Sequence, residues 1–288
     1  MKIKEIIEEK RKLLIENDIE DSLIIVRQVI CNILNKDKQY LIINSDEEIS
    51  DINYNRINDD IKKIISGIPI QYIIKNQEFM GLNFYVDENV LIPQPDTEIL
   101  VENVIEISKN ILNEQGKIKI LDLCTGSGAV AVSLYSILNK YYNKEQINVY
   151  ASDISNKAIE VAKINNKNNN TNVICIESDL FKNISEKDFD IIVSNPPYIR
   201  TNIIFEELSD FVKNEPIIAL DGGKDGLDFY RKIALNAKKF LNEKGVLAFE
   251  IGYNQKDAVI KILEENNYKN IYYKKDLSGN DRIVVGEV

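Results

Sequence analysis

LDLCTGSGAV, Leu121 to Val130, is an apolar strand that enters a glycine-bearing turn and leaves it as a helix. In doubly wound α/β sheets ligands sit beyond the carboxyl ends of the strands, and glycine at such a turn lets the backbone come close to them. The segments on either side continue this order. TEILVENVIEISKNIL reads as a helix and KIKILDL as the strand entering the turn, with GAVAVSLYSILNK the helix leaving it. INVYASD, NKAIEVAKINNKN, VICIES and FDIIVS follow as strand, helix, strand and strand. Further on, DFYRKIALNAKKFLNEKG is expected as one helix ending at Gly245, VLAFEIG as a strand and QKDAVIKILEENN as a helix. NIYYKKD and DRIVVGE close the chain as two strands about the turn Ser278-Gly279-Asn280. Strands alternating with helices give a mostly parallel, Rossmann-like sheet covered on both faces. The last pair, with no helix between its members, gives an antiparallel C-terminal edge. The asparagine-rich NNKNNNTN, Asn165–Asn172, is expected as an exposed loop.

Upstream the pattern changes. KIKEIIEEKRKLLIENDI places Ile3, Ile6, Ile7, Leu13 and Leu14 near a 3.6-residue period, DSLIIVRQVICNIL repeats it behind a capping Asp21-Ser22, and DINYNRINDDIKKIIS ends at Gly67 with Pro69 just beyond. These helices predict a small N-terminal bundle over residues 1–75, a packing or partner-docking unit with no catalytic spacing. In QEFMGLNFYVDENVLIPQPDTE, Met80, Leu82, Phe84 and Val86 alternate, and Asp87-Glu88-Asn89 supplies a turn before Val90-Leu91-Ile92. A β-hairpin linker is expected over 76–94, and the α/β domain over 95–288.

The chain has 288 residues, 44% of them hydrophobic and 28% charged, enough for more than one core. It carries no histidine, which removes the commonest general base and excludes Ser-His-Asp and Cys-His chemistry. Cys31, Cys124 and Cys175 lie far apart without metal-ligand spacing, so reduced buried thiols and no metal site are expected. A net charge of −10 disfavours a nucleic-acid partner. No apolar run approaches a membrane span, and the mixed charges of MKIKEIIEEKRKLL do not read as a signal peptide, so a cytoplasmic protein with no membrane partner is expected.

Three strand ends carry chemistry. After the glycine turn, Asp153 ends the next strand, where a carboxylate can accept from both hydroxyls of a ribose. Asp179, in ESDLF, ends the third and could meet an adenine amino group. The turn lacks the full G-x-G-x-x-G of a pyrophosphate site, and Asp122 beneath it suits a cationic ligand. S-adenosylmethionine therefore fits better than NAD.

The fourth strand ends in Asn195-Pro196-Pro197-Tyr198. Prolines fix φ and offer no donor, so a rigid, unclaimed carbonyl beside the Asn195 side-chain oxygen gives two acceptors aimed at one place. A planar –NH₂ group supplies the two matching donors, and Tyr198 can lie flat on its plane. Holding both N–H bonds leaves the remaining lobe of that nitrogen facing an activated methyl, with no side-chain base needed.

These residues resemble the release-factor glutamine methyltransferases. The likeness rests on GIPIQYI (Gly67–Ile73), VLIPQPDTE (Val90–Glu98), LDLCTGSGAVA, ASDIS, SDLF, VSNPPYI, EPIIALDGGKDGLDFYR, FEIGYNQ and DLSGNDRIVVGE, nearly the whole chain. It implies a class I S-adenosylmethionine-dependent methyltransferase fold. It also implies methyl transfer to the side-chain N5 of the glutamine in the Gly-Gly-Gln loop of peptide-chain release factors, by a protein expected as a monomer. Carried over by position, Cys124, Thr125, Gly126, Ser127 and Gly128 would surround the methionine part of the cofactor, with Asp153 on the ribose and Asp179 with Leu180 near adenine. Asn195 would lie between cofactor and substrate, and Asn195, Pro196, Pro197 and Tyr198 would hold the glutamine, with Asn195, Pro196 and Tyr198 as the catalytic set. Two positions depart from the family: Cys124 stands where glycine is usual, and Gln94 replaces the arginine of I-P-R-P. Asn-Pro-Pro-Tyr is shared with adenine-N6 methyltransferases. A ribosomal-protein glutamine methyltransferase, a nucleic-acid amino-methyltransferase and a non-catalytic S-adenosylmethionine-binding adaptor remain the alternatives.

Overall fold

The structure is a computed structural model that describes residues 1–206, 212 and 214–288. It divides into two compact units, Met1–Asn76 joined by Val212 and Asn214, and the remaining described residues from Gln77 to Val288.

The first unit is helical: α1 (Ile3–Ile15), α2 (Ser22–Leu34), α3 (Lys38–Ile43), α4 (Asp51–Ile65) and α5 (Ile70–Ile74). Ile3, Ile6 and Leu14 of α1, Val26, Val29 and Ile30 of α2, and Ile57, Ile61 and Ile64 of α4 share one buried cluster, as their spacing predicts. Two short helices, α3 and α5, were not legible, being too brief to show a period. The α4 stop is a Schellman motif in which Gly67, at φ 92°, donates to the Ile64 carbonyl and Ile68 to that of Lys63. Asp21 does precede α2, but it caps nothing with its side chain and adopts a left-handed backbone instead.

The second unit opens with a hairpin of β1 (Gln77–Phe79) and β2 (Leu82–Phe84). Its turn is Met80-Gly81, both at positive φ (52° and 71°) as the right-handed twist of a two-residue hairpin requires. The expected arms and turn were displaced. Asp87–Asn89 forms a turn, but Val90–Ile92 is not a strand. Phe79 and Phe84 pack edge to face in the main core.

The sheet comprises β3 (Ile118–Leu123), β4 (Ile147–Asp153), β5 (Ile174–Glu177), β6 (Phe189–Ser194), β7 (Leu241–Glu250), β8 (Lys269–Lys275) and β9 (Asp281–Glu287), in spatial order β5-β4-β3-β6-β7-β9-β8. The first five are parallel and β9 lies antiparallel between β7 and β8, which places the antiparallel pair at the C-terminal edge. Helices α6 (Asp96–Gln115), α7 (Ala129–Leu138), α8 (Asn156–Asn168), α9 (Thr201–Glu206), α10 (Asp228–Ala237) and α11 (Lys256–Glu265) complete the unit. Side chains alternate between two cores. Ile120, Ile191 and Val193 join one, while Leu121, Ile192 and Leu247 join the other, so β6 is buried along its whole length. Because β3 leads outward to β4 and β6 starts the other half, the sheet reverses direction of growth between β3 and β6, where α/β sheets open a crevice.

Two expectations are corrected here. The segment DFYRKIALNAKKFLNEKG is not one helix: α10 stops at Ala237 and Leu241 already begins β7. Leu241 pairs with Phe189 across a bulge, and Asn242 donates to the buried Asp190 carboxylate at 2.7 Å, contacts a continued helix would forfeit. The asparagine-rich stretch is not a uniform exposed loop either. α8 continues through it to Asn168, and Asn165 is fully buried. Its side chain accepts from the Tyr85 N–H (2.6 Å) and donates to the Tyr85 and Ser127 carbonyls (2.9 and 2.8 Å), fastening the chain after β2 to the glycine turn.

Asn165→Ala removes three hydrogen bonds, one buried and two partly buried, and strands their backbone partners. A loss of about 2–4 kcal/mol in unfolding free energy is expected by urea denaturation, since an unmet buried group costs ~1–3 kcal/mol.

Candidate active site

The glycine turn begins where β3 ends. Cys124 has φ 60° and Gly126 φ 54°, both left-handed. For a cysteine this costs on the order of 1 kcal/mol that the glycine usual at the position would not incur. Thr125 donates from its backbone to the Ser152 carbonyl (3.0 Å) and from its hydroxyl to Asp122 Oδ2 (2.6 Å), while Ala131 N–H donates to the same oxygen (3.2 Å). Burial raises the Asp122 carboxyl to about 7 against those two donors. Gly128, at φ 81°, brings α7 against α8: a side chain there would meet the Ala162 Cβ at 3.1 Å.

Asp153, ending β4, accepts at Oδ2 from the Gly126 N–H and at Oδ1 from the Ser155 N–H, each at 2.9 Å. These bonds fix its plane. Burial raises its pKa, and the same backbone donors oppose the rise. Asp179 lies two residues past β5 and pairs with Lys182 at 2.6 Å, and Leu180 beside it has a left-handed backbone. Cys124 is a thiol, not a thiolate: burial pushes it well above its ordinary value and Asp153 adds to this, so it is not a reactive cysteine.

Cys124, Gly126, Asp153, Asp179, Leu180, Asn195 and Pro197 line one cavity of about 290 Å³. Thr125 and Ser127 line an adjoining cleft of about 50 Å³, to which Cys124, Gly126 and Asn195 also contribute. Gly128, Pro196 and Tyr198 line neither. Sequence reasoning did not single out Ile154 and Ser178, which follow the ends of β4 and β5, or Phe229 and Lys232 on α10. Position after a strand end could have flagged the first two; nothing in the sequence marks the others. Gln94 sits in the smaller cleft and donates to the Ile92 carbonyl at 3.0 Å.

Beyond β6, the Asn195 side chain donates its Nδ2 to Thr97 Oγ1 at 3.2 Å, which leaves Oδ1 on the other side of the amide. Among the described residues no donor meets the Pro196 carbonyl. The Tyr198 carbonyl accepts from Gln255 Nε2 at 3.0 Å, and the same nitrogen bonds the Gly226 carbonyl at 3.2 Å. The Tyr198 ring packs into the second core rather than onto the cavity. Its phenol is raised by burial first and by the Glu250 carboxylate second.

Glu250, the last residue of β7, is 2% exposed. Burial raises its carboxyl from 4.5 to about 7, opposed first by the Thr97 hydroxyl, with Asp96 adding to the rise and Arg282 and the Asn195 amide opposing it. Its Oε2 has no hydrogen-bond partner among the described residues. Arg282, 2.8 Å from Asp96 and 2.9 Å from Asp276, supplies the neighbouring positive charge.

A glycine turn, a carboxylate at the next strand end and a rigid polar corner at the fourth, all on the carboxyl edge of this sheet, define a class I methyltransferase. The methyltransferase small domain family matches residues 95–213, and the PrmC N-terminal domain family matches 5–74. The chain is 43% identical to the release factor glutamine methyltransferase of Clostridium acetobutylicum over 99% of its own length and 98% of that protein's. It is 41% identical to that of Clostridium botulinum over 88% and 87% respectively. A methyltransferase from Pyrococcus furiosus shares the fold at 20% identity, with a TM-score of 0.50, over 80% of this chain and 98% of that one. The chain belongs to the release factor glutamine methyltransferase family. Among the described residues no helix is long and apolar enough to cross a membrane.

Glu250 gives the site a pH signature. Its folded pKa is above its ordinary value, so the folded chain keeps a proton that the unfolded chain releases, and stability falls as pH rises from about 4.5 to about 7. Glu250→Gln cannot lose that proton. Relative to wild type it is expected to gain roughly 3 kcal/mol between pH 4.5 and pH 8 at about 1.4 kcal/mol per unit, read from urea unfolding at both pH values.

Proposed function

We propose that this enzyme transfers a methyl group from S-adenosylmethionine to the side-chain N5 of the glutamine in the Gly-Gly-Gln loop of peptide-chain release factors. The single observation that carries the reading is the polar corner after β6. Asn195 lines the cavity with its Nδ2 engaged by Thr97, and we assign the Pro196 carbonyl, which no donor meets among the described residues, as the second acceptor; a primary amide is the neutral group that offers two coplanar donors.

The residues at the strand ends suit this cofactor. Asp153 keeps lone pairs on both oxygens after accepting its two backbone bonds, so it can receive ribose hydroxyls. Ile154 and Leu180 offer apolar contact for an adenine, and Asp179 an acceptor. A Cβ on Gly126 would meet nothing within 4 Å, which marks open space beside the turn. Among the described residues the cavity wall carries Asp153 and Asp179 against one basic residue, Lys232, a balance that favours a ligand carrying positive charge. S-adenosylmethionine supplies a methyl group activated by a sulfonium.

The protein's part is orientation and charge. An amide nitrogen is a poor nucleophile because its lone pair is delocalised into the carbonyl. Accepting both N–H bonds fixes the plane of the amide, directs the face of the nitrogen towards the cofactor side and stabilises positive charge developing there. The bound hydrogens become more acidic only as the N–C bond forms and the methyl–sulfur bond breaks to leave a neutral thioether, so no base is required beforehand; one of them then leaves the nitrogen for solvent by way of the acceptor that holds it. The acceptors would meet an adenine amino group equally well; membership of the family and the helical first unit favour a protein substrate. We assign residues 1–75 to docking the release factor, 76–94 to the link and 95–288 to the chemistry.

Asn195→Ala is expected to lower kcat with release factor by about 10²–10³-fold, the scale of losing one preorganised partner of the transition state, while cofactor affinity by calorimetry changes little. Asp153→Ala should instead weaken cofactor binding by about 1–3 kcal/mol. The direct assay offers labelled cofactor with purified release factor, ribosomal proteins and RNA. Label in the release-factor peptide carrying Gly-Gly-Gln supports the reading, and label in RNA alone overturns it.

A further inference from the structure

A primary amide carries its donors on one side and its acceptor on the other. Turned the wrong way, Asn195 would confront the substrate –NH₂ with its own –NH₂. Something must therefore choose the orientation. Thr97 Oγ1 accepts from Nδ2 at 3.2 Å, but a hydroxyl can donate as well as accept and would tolerate the reversed amide. An ionised carboxylate only accepts. Ser194 pairs with Phe249 across β6 and β7, so the residues that follow them, Asn195 and Glu250, come to the sheet edge side by side, and one Glu250 oxygen lacks any hydrogen-bond partner among the described residues.

We propose that Glu250 is the positioning residue of this site: its carboxylate, at the end of β7, holds the Asn195 –NH₂ inward and so keeps Oδ1 on the acceptor side that meets the substrate.

The surroundings agree. Glu250 is the terminal residue of a strand that is otherwise apolar from Val246, a place where a buried carboxylate costs stability. Its backbone carbonyl is pinned by the Tyr230 hydroxyl at 3.0 Å, and Tyr230 also lies 3.4 Å from Gln255, which holds the Tyr198 carbonyl. The charged and titratable groups that face it are Asp96 from α6, Arg282 from β9 and the phenols of Tyr198 and, from α10, Tyr230. Arg282 is already paired with Asp96 and Asp276, so it offsets the charge of Glu250 without occupying it.

The inference deepens the proposed function and rests on it for its catalytic consequence, but its central claim is tested without substrate. In wild-type protein labelled with ¹⁵N at asparagine, the Asn195 side-chain –NH₂ resonances are expected to titrate with a midpoint near 7, the value to which Glu250 is raised, and the titration is expected to vanish in E250Q. An Asn195 signal flat from pH 5.5 to 8.5, or one that titrates unchanged in E250Q, overturns the proposal. With release factor as substrate, E250Q is expected to lower kcat by about tenfold or more, the scale of one hydrogen bond to a charged group, with KM and cofactor Kd nearly unchanged. E250D, which keeps the charge, is expected to recover part of that loss, and wild-type kcat in E250Q likewise overturns the role. If the titration behaves as expected while release factor is not methylated, Glu250 keeps its assignment and the substrate reading fails instead.

Discussion

A primary amide cannot show its acceptor to a ligand unless its donors are engaged elsewhere, and this constraint organises the second unit. Asn195 sits where β6 ends, and its Nδ2 donates to Thr97 on α6, the helix that begins within the VLIPQPDTE segment. The substrate corner therefore depends on a helix nearly a hundred residues earlier. That helix is held in turn by the sheet it covers: Leu100, Val101 and Val104 lie in the same core as Ile191 and Val193 of β6.

The sheet does the rest by topology. Growth outward through β4 and β5 on one side, and through β7 on the other, brings the ends of β3, β4, β5 and β6 to one edge. Each strand end contributes what its backbone can hold. Asp153 is fixed by two N–H donors, one of them from the glycine turn itself, so the two cofactor segments are not independent. A second set of contacts stiffens the far side. A side chain on Gly226 would fall 2.4 Å from the Tyr198 carbonyl, so that loop can approach the substrate corner only as glycine, and Gln255 bridges the two.

Much of this was legible in the sequence because it rests on period and punctuation. The strands flanking the crevice, the glycine turn and the antiparallel edge follow from alternation and from strand ends that can be read directly. What escaped depended on distant partners. The split of α10 from β7 is decided by Leu241 meeting Phe189, the burial of Asn165 by Tyr85 and Ser127, and the inward ring of Tyr198 by the core beneath it. The hairpin was misplaced because Met80 fits an alternating pattern, although with Gly81 it forms the turn. Glu250 carried a signal that went unused, a carboxylate at the end of an apolar run.

Stability and function pull against each other across this edge. Cys124 holds a left-handed backbone, and two buried carboxyls, Asp122 and Glu250, are raised to about 7. Each would be relieved by a simpler residue. They differ in what compensates them. Asp122 is answered locally by Thr125 and Ala131 across the turn it supports, whereas Glu250, at the strand end next to Asn195, keeps an oxygen without a partner among the described residues. Locally satisfied strain serves the shape of the turn; the strain at Glu250 serves, on our proposal, the substrate corner, because a carboxylate can accept from the Asn195 –NH₂ but cannot donate to a reversed amide.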